Sequence, residues 1–150
     1  MDYVIRRAKL TDLGQLVEFG LSEAKEAEGT GKSSEKVRVG IRAALEDESV
    51  AVYWIIQDSH KELIGNVSVL KEWSNWNAGY YWWIQSMYIK PENRGRGLMK
   101  MLIQKVRESA KQGRALDLRL YVHKNNERAI KAYLKSGFVD SDYRIMRIDI

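Results

Sequence analysis

The stretch from residue 50 to residue 89 constrains the fold more than any other. Three runs of β-branched and aromatic residues follow one another with only polar turns between them: VAVYWIIQ, LIGNVSVL after DSHKE, and YYWWIQSMYI after SNWNAG. Such side chains suit a pleated, half-buried surface, and polar turns between consecutive runs predict an antiparallel meander. His60 falls in the first turn and reads as a turn residue. Pro91, the only proline, ends the third run because it has no N–H to give to a ladder. Alternation sets Trp82 and Trp83 on opposite faces of the sheet, so at least one of them belongs to the core.

Helical patterns flank this block. VIRRA reads as a short strand, and Thr11 suits the N-cap of a helix through Leu13, Leu16, Val17 and Leu21. The break EGTGKSS separates it from a second helix carrying Val37, Ile41 and Leu45. After the meander, residues 96–112 place Leu98, Leu102, Ile103, Val106 and Ala110 on one helical stripe, with Gly113 as the expected C′ residue. LDLRLYV alternates like a half-buried strand, and NNERAIKAYLKSGF gathers Ala129, Ile130, Tyr133 and Leu134 on one helical face before Gly137. A last strand is expected from Tyr143 to Ile150. The order is that of a mixed α/β fold, and 150 residues, 45% of them apolar, predict one domain over 1–150 with a real core.

Composition removes several kinds of chemistry. With no cysteine there is no disulfide, thiolate metal site or cysteine nucleophile, and His60 and His123 are too isolated for a histidine metal site. No apolar run approaches the roughly 18 residues that span a bilayer, and the amino terminus lacks the pattern of a signal peptide. A cytoplasmic protein without a membrane partner is expected. The 25 Lys and Arg against 20 Asp and Glu give +5, which favours anionic partners, phosphate among them. These bases are scattered without an aromatic-basic motif, so a nucleic-acid-binding domain is the weakest reading.

PENRGRGLMK, at 91–100, opens the third helix with two arginines interleaved with two glycines. It is not a dinucleotide fingerprint, because Lys100 stands where the last glycine would fall. GTGKSS is not a phosphate loop either, since Glu26 occupies the position of its first glycine. Gly95 and Gly97 remove side-chain bulk, so backbone N–H groups can converge on an anion at the positive end of a helix, with Arg94 and Arg96 adding charge. An ordinary strand-to-helix turn fits the same residues.

In this setting the chain resembles the GCN5-related N-acetyltransferase (GNAT) family over nearly its whole length. The family's signature for acetyl-CoA is an aliphatic-x-aliphatic strand end followed by Q/R-x-x-G-x-G/A. It is matched by Met87-Tyr88-Ile89 and then Arg94-Gly95-Arg96-Gly97-Leu98-Met99, with methionine where the family usually has glycine or alanine. A second signature is matched by Asn126-Glu127-Arg128-Ala129, Tyr133 and Gly137-Phe138. The resemblance implies a mixed, mostly antiparallel sheet of about six to seven strands flanked by about four helices. It implies an acetyl-CoA-dependent N-acetyltransferase acting on a primary amine of a small molecule, peptide or protein, with no metal. The backbone of Met87, Tyr88 and Ile89 would pair with the pantetheine arm, and amides from Gly95 through Lys100, with Arg94, would hold the pyrophosphate. Asn126 would sit near the pantetheine, and Tyr133 near the sulfur as general acid.

The general base stays open. Gln85 and Ser86 stand where some family members carry an acid, which leaves Glu23, Glu26, Glu28, Glu72 and Asp142 as candidates. The acceptor is also unassigned: Trp73 and Trp76 line a pocket for an apolar or cationic amine, or stack in a homodimer. The lack of an evident base keeps a non-catalytic coenzyme A-binding regulatory module as the alternative.

Overall fold

The computed structural model describes residues 2–150. In chain order it contains β1 (Val4–Arg7), α1 (Leu13–Glu28), α2 (Ser34–Glu46), β2 (Val52–Gln57), β3 (Leu63–Ser74), β4 (Gly79–Ile89), α3 (Leu98–Gln112), β5 (Leu118–Leu120) and α4 (Glu127–Lys135). The strands form one sheet in the order β1-β2-β3-β4-β5. The first four are antiparallel neighbours, which is the expected meander extended by β1, and β5 joins β4 in parallel.

Alternation along β2 sends Trp54 and Ile56 to one face and Ile55 to the other, and both faces are covered. On the first face α3 lays Leu98, Leu102 and Val106 onto Trp54, Ile64, Val67, Val69, Trp82 and Ile84. On the second, Leu16, Val17 and Phe19 of α1 and Ile41 of α2 close over Ile55 and Tyr88. Trp82 is therefore the core member of the tryptophan pair. Trp83 is half-buried on the opposite face, stacked on Tyr121 with ring centroids 4.4 Å apart.

Several expectations are corrected. The sheet has five strands among the described residues, not six to seven. The missing one is Tyr143–Ile150, which pairs with nothing and leaves Tyr143, Ile145, Met146, Ile148 and Ile150 exposed. Alternation makes a strand only where a ladder accepts it, and β5 offers three paired residues where LDLRLYV predicts seven. Thr11 does not cap α1. The chain enters that helix through a 3-10 turn, Leu10–Asp12, in which buried Asp12 accepts from the Lys9 N–H at 2.7 Å and from both Arg6 terminal nitrogens at 2.9 and 3.1 Å. Burial alone would raise the Asp12 pKa, but the Arg6 and Lys9 hydrogen bonds hold it below the usual carboxylate value. Gly113 is not a left-handed C′ residue, for its φ is −79°, and Arg114 takes the positive φ instead. Glycine is required there for space: a Cβ would lie 2.7 Å from the Trp82 ring.

One irregularity positions everything that follows. Val69 pairs with Ile84 and Ser68 with Ser86, so Gln85 is an extra residue bulged out of β4. The pairing of β4 with β5 stops at the same place, at Ile84 and Leu120. Beyond it, β4 keeps β3 on one side and has no strand on the other.

Candidate active site

The opening beyond the bulge is a cavity of about 700 Å³, bounded by the end of β4, the loop into α3, α4 and the last turns of α1. Met87 and Ile89 turn their backbone groups to the strandless edge, and side chains hold both. The Met87 N–H donates to Glu23 Oε2 at 2.7 Å, and the Ile89 carbonyl accepts from Arg94 Nε at 2.9 Å. Tyr88 faces the other way, its ring buried against Phe19 at 5.4 Å between centroids.

Glu23 occupies the inner stripe of α1, one turn beyond Phe19 and two beyond Leu16, where helical spacing leads one to expect an apolar residue. Its second oxygen accepts from the Ser86 hydroxyl at 2.7 Å. Burial pushes its pKa up to about 6, partly opposed by the hydrogen bonds from Met87 and Ser86, while the neighbouring Glu26 charge pushes the same way as burial. A carboxylate thus stands beside β4 although β4 carries none near its end. Of the five candidate acids, Glu23, Glu26 and Glu28 line the cavity; Glu72 and Asp142 do not.

The loop into α3 is built around two left-handed glycines, Gly95 at φ +79° and Gly97 at φ +76°, and a Cβ at either would meet open space. Conformation, not crowding, demands glycine at both. Gly97 is the N-cap of α3 and has no side chain to offer, and the first intrahelical bond runs from the Met101 N–H to the Gly97 carbonyl at 3.1 Å. The N–H groups of Leu98, Met99 and Lys100 are therefore first-turn donors without a side-chain cap, at the positive end of a helix of 15 residues. The contrast with α2 and α4 is direct, since Ser33 and Asn126 cap those helices at 3.3 Å.

The predicted site residues divide accordingly. Met87, Tyr88, Ile89, Arg94, Gly95, Gly97, Leu98, Met99, Asn126 and Tyr133 all line the cavity, whereas Arg96 and Lys100 are exposed and do not, Arg96 donating instead to the Tyr3 hydroxyl at 3.4 Å. Met99, which departs from the family pattern, is half-buried against the α3 core. Arg94 does not present a free charge to the cavity. Glu26 takes its NH2 through both oxygens, at 2.8 and 2.9 Å, and also receives Arg128 at 3.3 Å, tying the loop to α4. Tyr133 is half-buried against Phe138, and its phenol pKa is driven well above the usual value by burial first and then by the Glu23 charge. Trp73 and Trp76 are exposed at the β3–β4 turn and do not line this cavity.

Comparisons with known proteins bear on the family and the fold. The family model described as acetyltransferase (GNAT) family matches residues 18–138. The fold is similar to the crystal structure of a possible acetyltransferase from Clostridium difficile 630, at 28% identity and a TM-score of 0.91 over 99% of this chain and 97% of that one. It is also similar to the ribosomal-protein-alanine N-acetyltransferase of Brucella melitensis biovar Abortus 2308, at 17% identity and a TM-score of 0.80 over 99% and 100% of the chains. A predicted acetyltransferase of Clostridium acetobutylicum, solved with acetyl-CoA, aligns at 20% identity and a TM-score of 0.77 over 98% and 96%. The last two likenesses speak for the fold alone. No curated protein matches the sequence.

Proposed function

This chain belongs to the acetyltransferase (GNAT) family, and on that premise we propose that it is an acetyl-CoA-dependent N-acetyltransferase in which a primary amine attacks the thioester directly. The observation that carries the reading is the Met87 N–H on the strandless edge of β4, held by the Glu23 carboxylate within the cavity that the uncapped end of α3 also borders.

Each step draws on a group of this chain. The free N–H donors of Leu98, Met99 and Lys100 suit the pyrophosphate, and the two left-handed glycines leave room for it. Because Glu26 already matches the Arg94 charge, the amides carry more of that binding than the sequence reading assigns. The edge groups of Met87 and Ile89 suit a pantetheine arm laid alongside β4 as an added strand. The thioester oxygen takes the Met87 N–H, a donor fixed in place before charge develops on it. That exchange frees one Glu23 oxygen for the attacking amine. A carboxylate with a pKa near 6 accepts a proton at neutral pH far better than one at the usual value.

Tyr133 completes the cycle. Its raised pKa keeps the phenol protonated throughout the working range. When Glu23 takes the amine's proton, the negative charge that helped raise the phenol pKa is gone, so the phenol gives its proton to the departing thiolate more readily. The case for a non-catalytic module drew on the absence of a base, and the placement of Glu23 beside Met87 supports the enzyme reading. The test is release of free coenzyme A thiol from acetyl-CoA in the presence of a panel of amines. Amine-dependent release supports the reading, and tight binding with no release to any amine would return it to the regulatory module. Among the described residues no helix is long and apolar enough to cross a membrane.

A further inference from the structure

One end of the sheet is unfinished. Among the described residues β5 is its last strand, paired with β4 on one side and with no strand on the other. Leu118 and Leu120 pack against the first core yet stay half-buried. The helix that follows, α4, buries none of its residues and leaves Leu134 51% exposed. An open edge beside half-covered apolar side chains is a template for one more strand.

Residues 143–150 have the pattern of that strand. Met146, Ile148 and Ile150 alternate with Arg147 and Asp149, and Ile148 is 83% exposed. Among the described residues their hydrogen bonds are local, from the Tyr143 N–H to the Ser141 hydroxyl at 3.0 Å and from Arg147 to Asp149 at 3.2 Å. The chain is held just upstream, where Phe138 packs on the first core and donates its N–H to the Tyr133 carbonyl at 3.1 Å. From there it runs out into solvent and does not turn back onto its own β5.

The edge and the segment match. Arg119 set opposite Asp149 places Leu118 and Leu120 across from Ile148 and Ile150, whichever way the added strand runs. Opposite charges facing across a ladder attract, and the apolar pairs extend the face that α3 covers.

We propose that residues 143–150 are an exchange arm: they add to the free edge of β5 in a second copy of this chain, whose own arm adds to β5 here, closing a two-fold dimer. The partner is a second copy because this chain carries both halves of the contact, an edge and a strand that complements it in charge and in side-chain pattern. Such a dimer forms whether or not the chain transfers an acetyl group. It meets at the β5 end of the sheet, with Trp73 and Trp76 of the β3–β4 turn outside the contact.

The chain has no cysteine, so an introduced pair reports on one contact alone. Arg119→Cys combined with Asp149→Cys, treated with a short bis-maleimide and then denatured, is expected to give a covalent dimer well beyond what either single variant gives. A link closed within one chain would show the arm folded onto its own edge, and that result, or no link at all, would overturn the proposal. Sedimentation is expected to give a dimer for the unaltered protein and a monomer for Ile148→Asp. Because Ile148 is exposed in the single chain, that variant should keep the far-UV circular dichroism of the unaltered protein. An unaltered protein that sediments as a monomer, or a dimer that survives Ile148→Asp but comes apart in Trp76→Ala, would equally overturn it.

Discussion

The two halves of β4 differ by one neighbour. Before the Gln85 bulge, Trp82 to Ile84 pair with β3 on one side and β5 on the other, with Trp82 and Ile84 sealed under α3. After it, Met87 to Ile89 keep β3 but meet side chains in place of a strand, Glu23 on an N–H and Arg94 on a carbonyl. The first half lies between two strands. The second has groups held only by side chains, which can exchange partners. A single extra residue thus separates a piece of scaffold from a piece of chemistry, and it does so within one strand.

That contrast is broken most forcefully from the scaffold side. Leu102→Ala empties a fully buried position under the paired half and is expected to lower unfolding stability by about 2–5 kcal/mol, read by denaturant titration. The surviving folded protein should keep its turnover. On the open half, Glu23→Gln is expected to lower kcat by about 10²-fold or more. In the unaltered enzyme kcat/KM should rise with pH through about 6 as Glu23 ionises, and the variant should lack that inflection. The same substitution has a stability signature of known sign. The folded pKa exceeds the ordinary 4.5, so the folded state binds the proton more tightly and stability falls as pH rises from about 4.5 through about 6. In Glu23→Gln that fall, no more than about 2 kcal/mol, should vanish. Tyr133→Phe is the smallest change, expected to cost about tenfold in turnover with acetyl-CoA affinity nearly unaltered; an unchanged kcat at saturation would remove it from the mechanism.

The scaffold half was the more legible of the two. Period-2 runs gave the meander, and the stripe from Leu98 to Ala110 gave α3, because those patterns follow from which faces are buried. Gly95 and Gly97 were read as glycines for want of side-chain bulk, whereas a Cβ at either meets open space and positive φ is what calls for glycine. The proposed base was not readable as a single residue. Glu23, Glu26 and Glu28 look alike in sequence, and only the packing of α1 against β4 turns the first toward Met87 and the second toward Arg94. One local signal existed, an acid on the stripe that Leu16 and Phe19 define. The Gln85 bulge leaves no trace in hydrophobic pattern. Residues 143–150 carry strand periodicity but find no ladder, which sequence cannot announce. Gly113 was seen as a cap when its cause is the Trp82 ring, a contact between residues distant in sequence.

The central claim is that the strandless half of β4 and the uncapped end of α3 together hold acetyl-CoA. Calorimetric titration of the folded protein with acetyl-CoA, repeated on Gly97→Trp, tests it most directly. The account predicts binding by the unaltered protein and its loss in the variant, where a bulky side chain fills the cradle at a residue with φ +76°. Equal binding by both folded proteins, or none by the unaltered one, would contradict it.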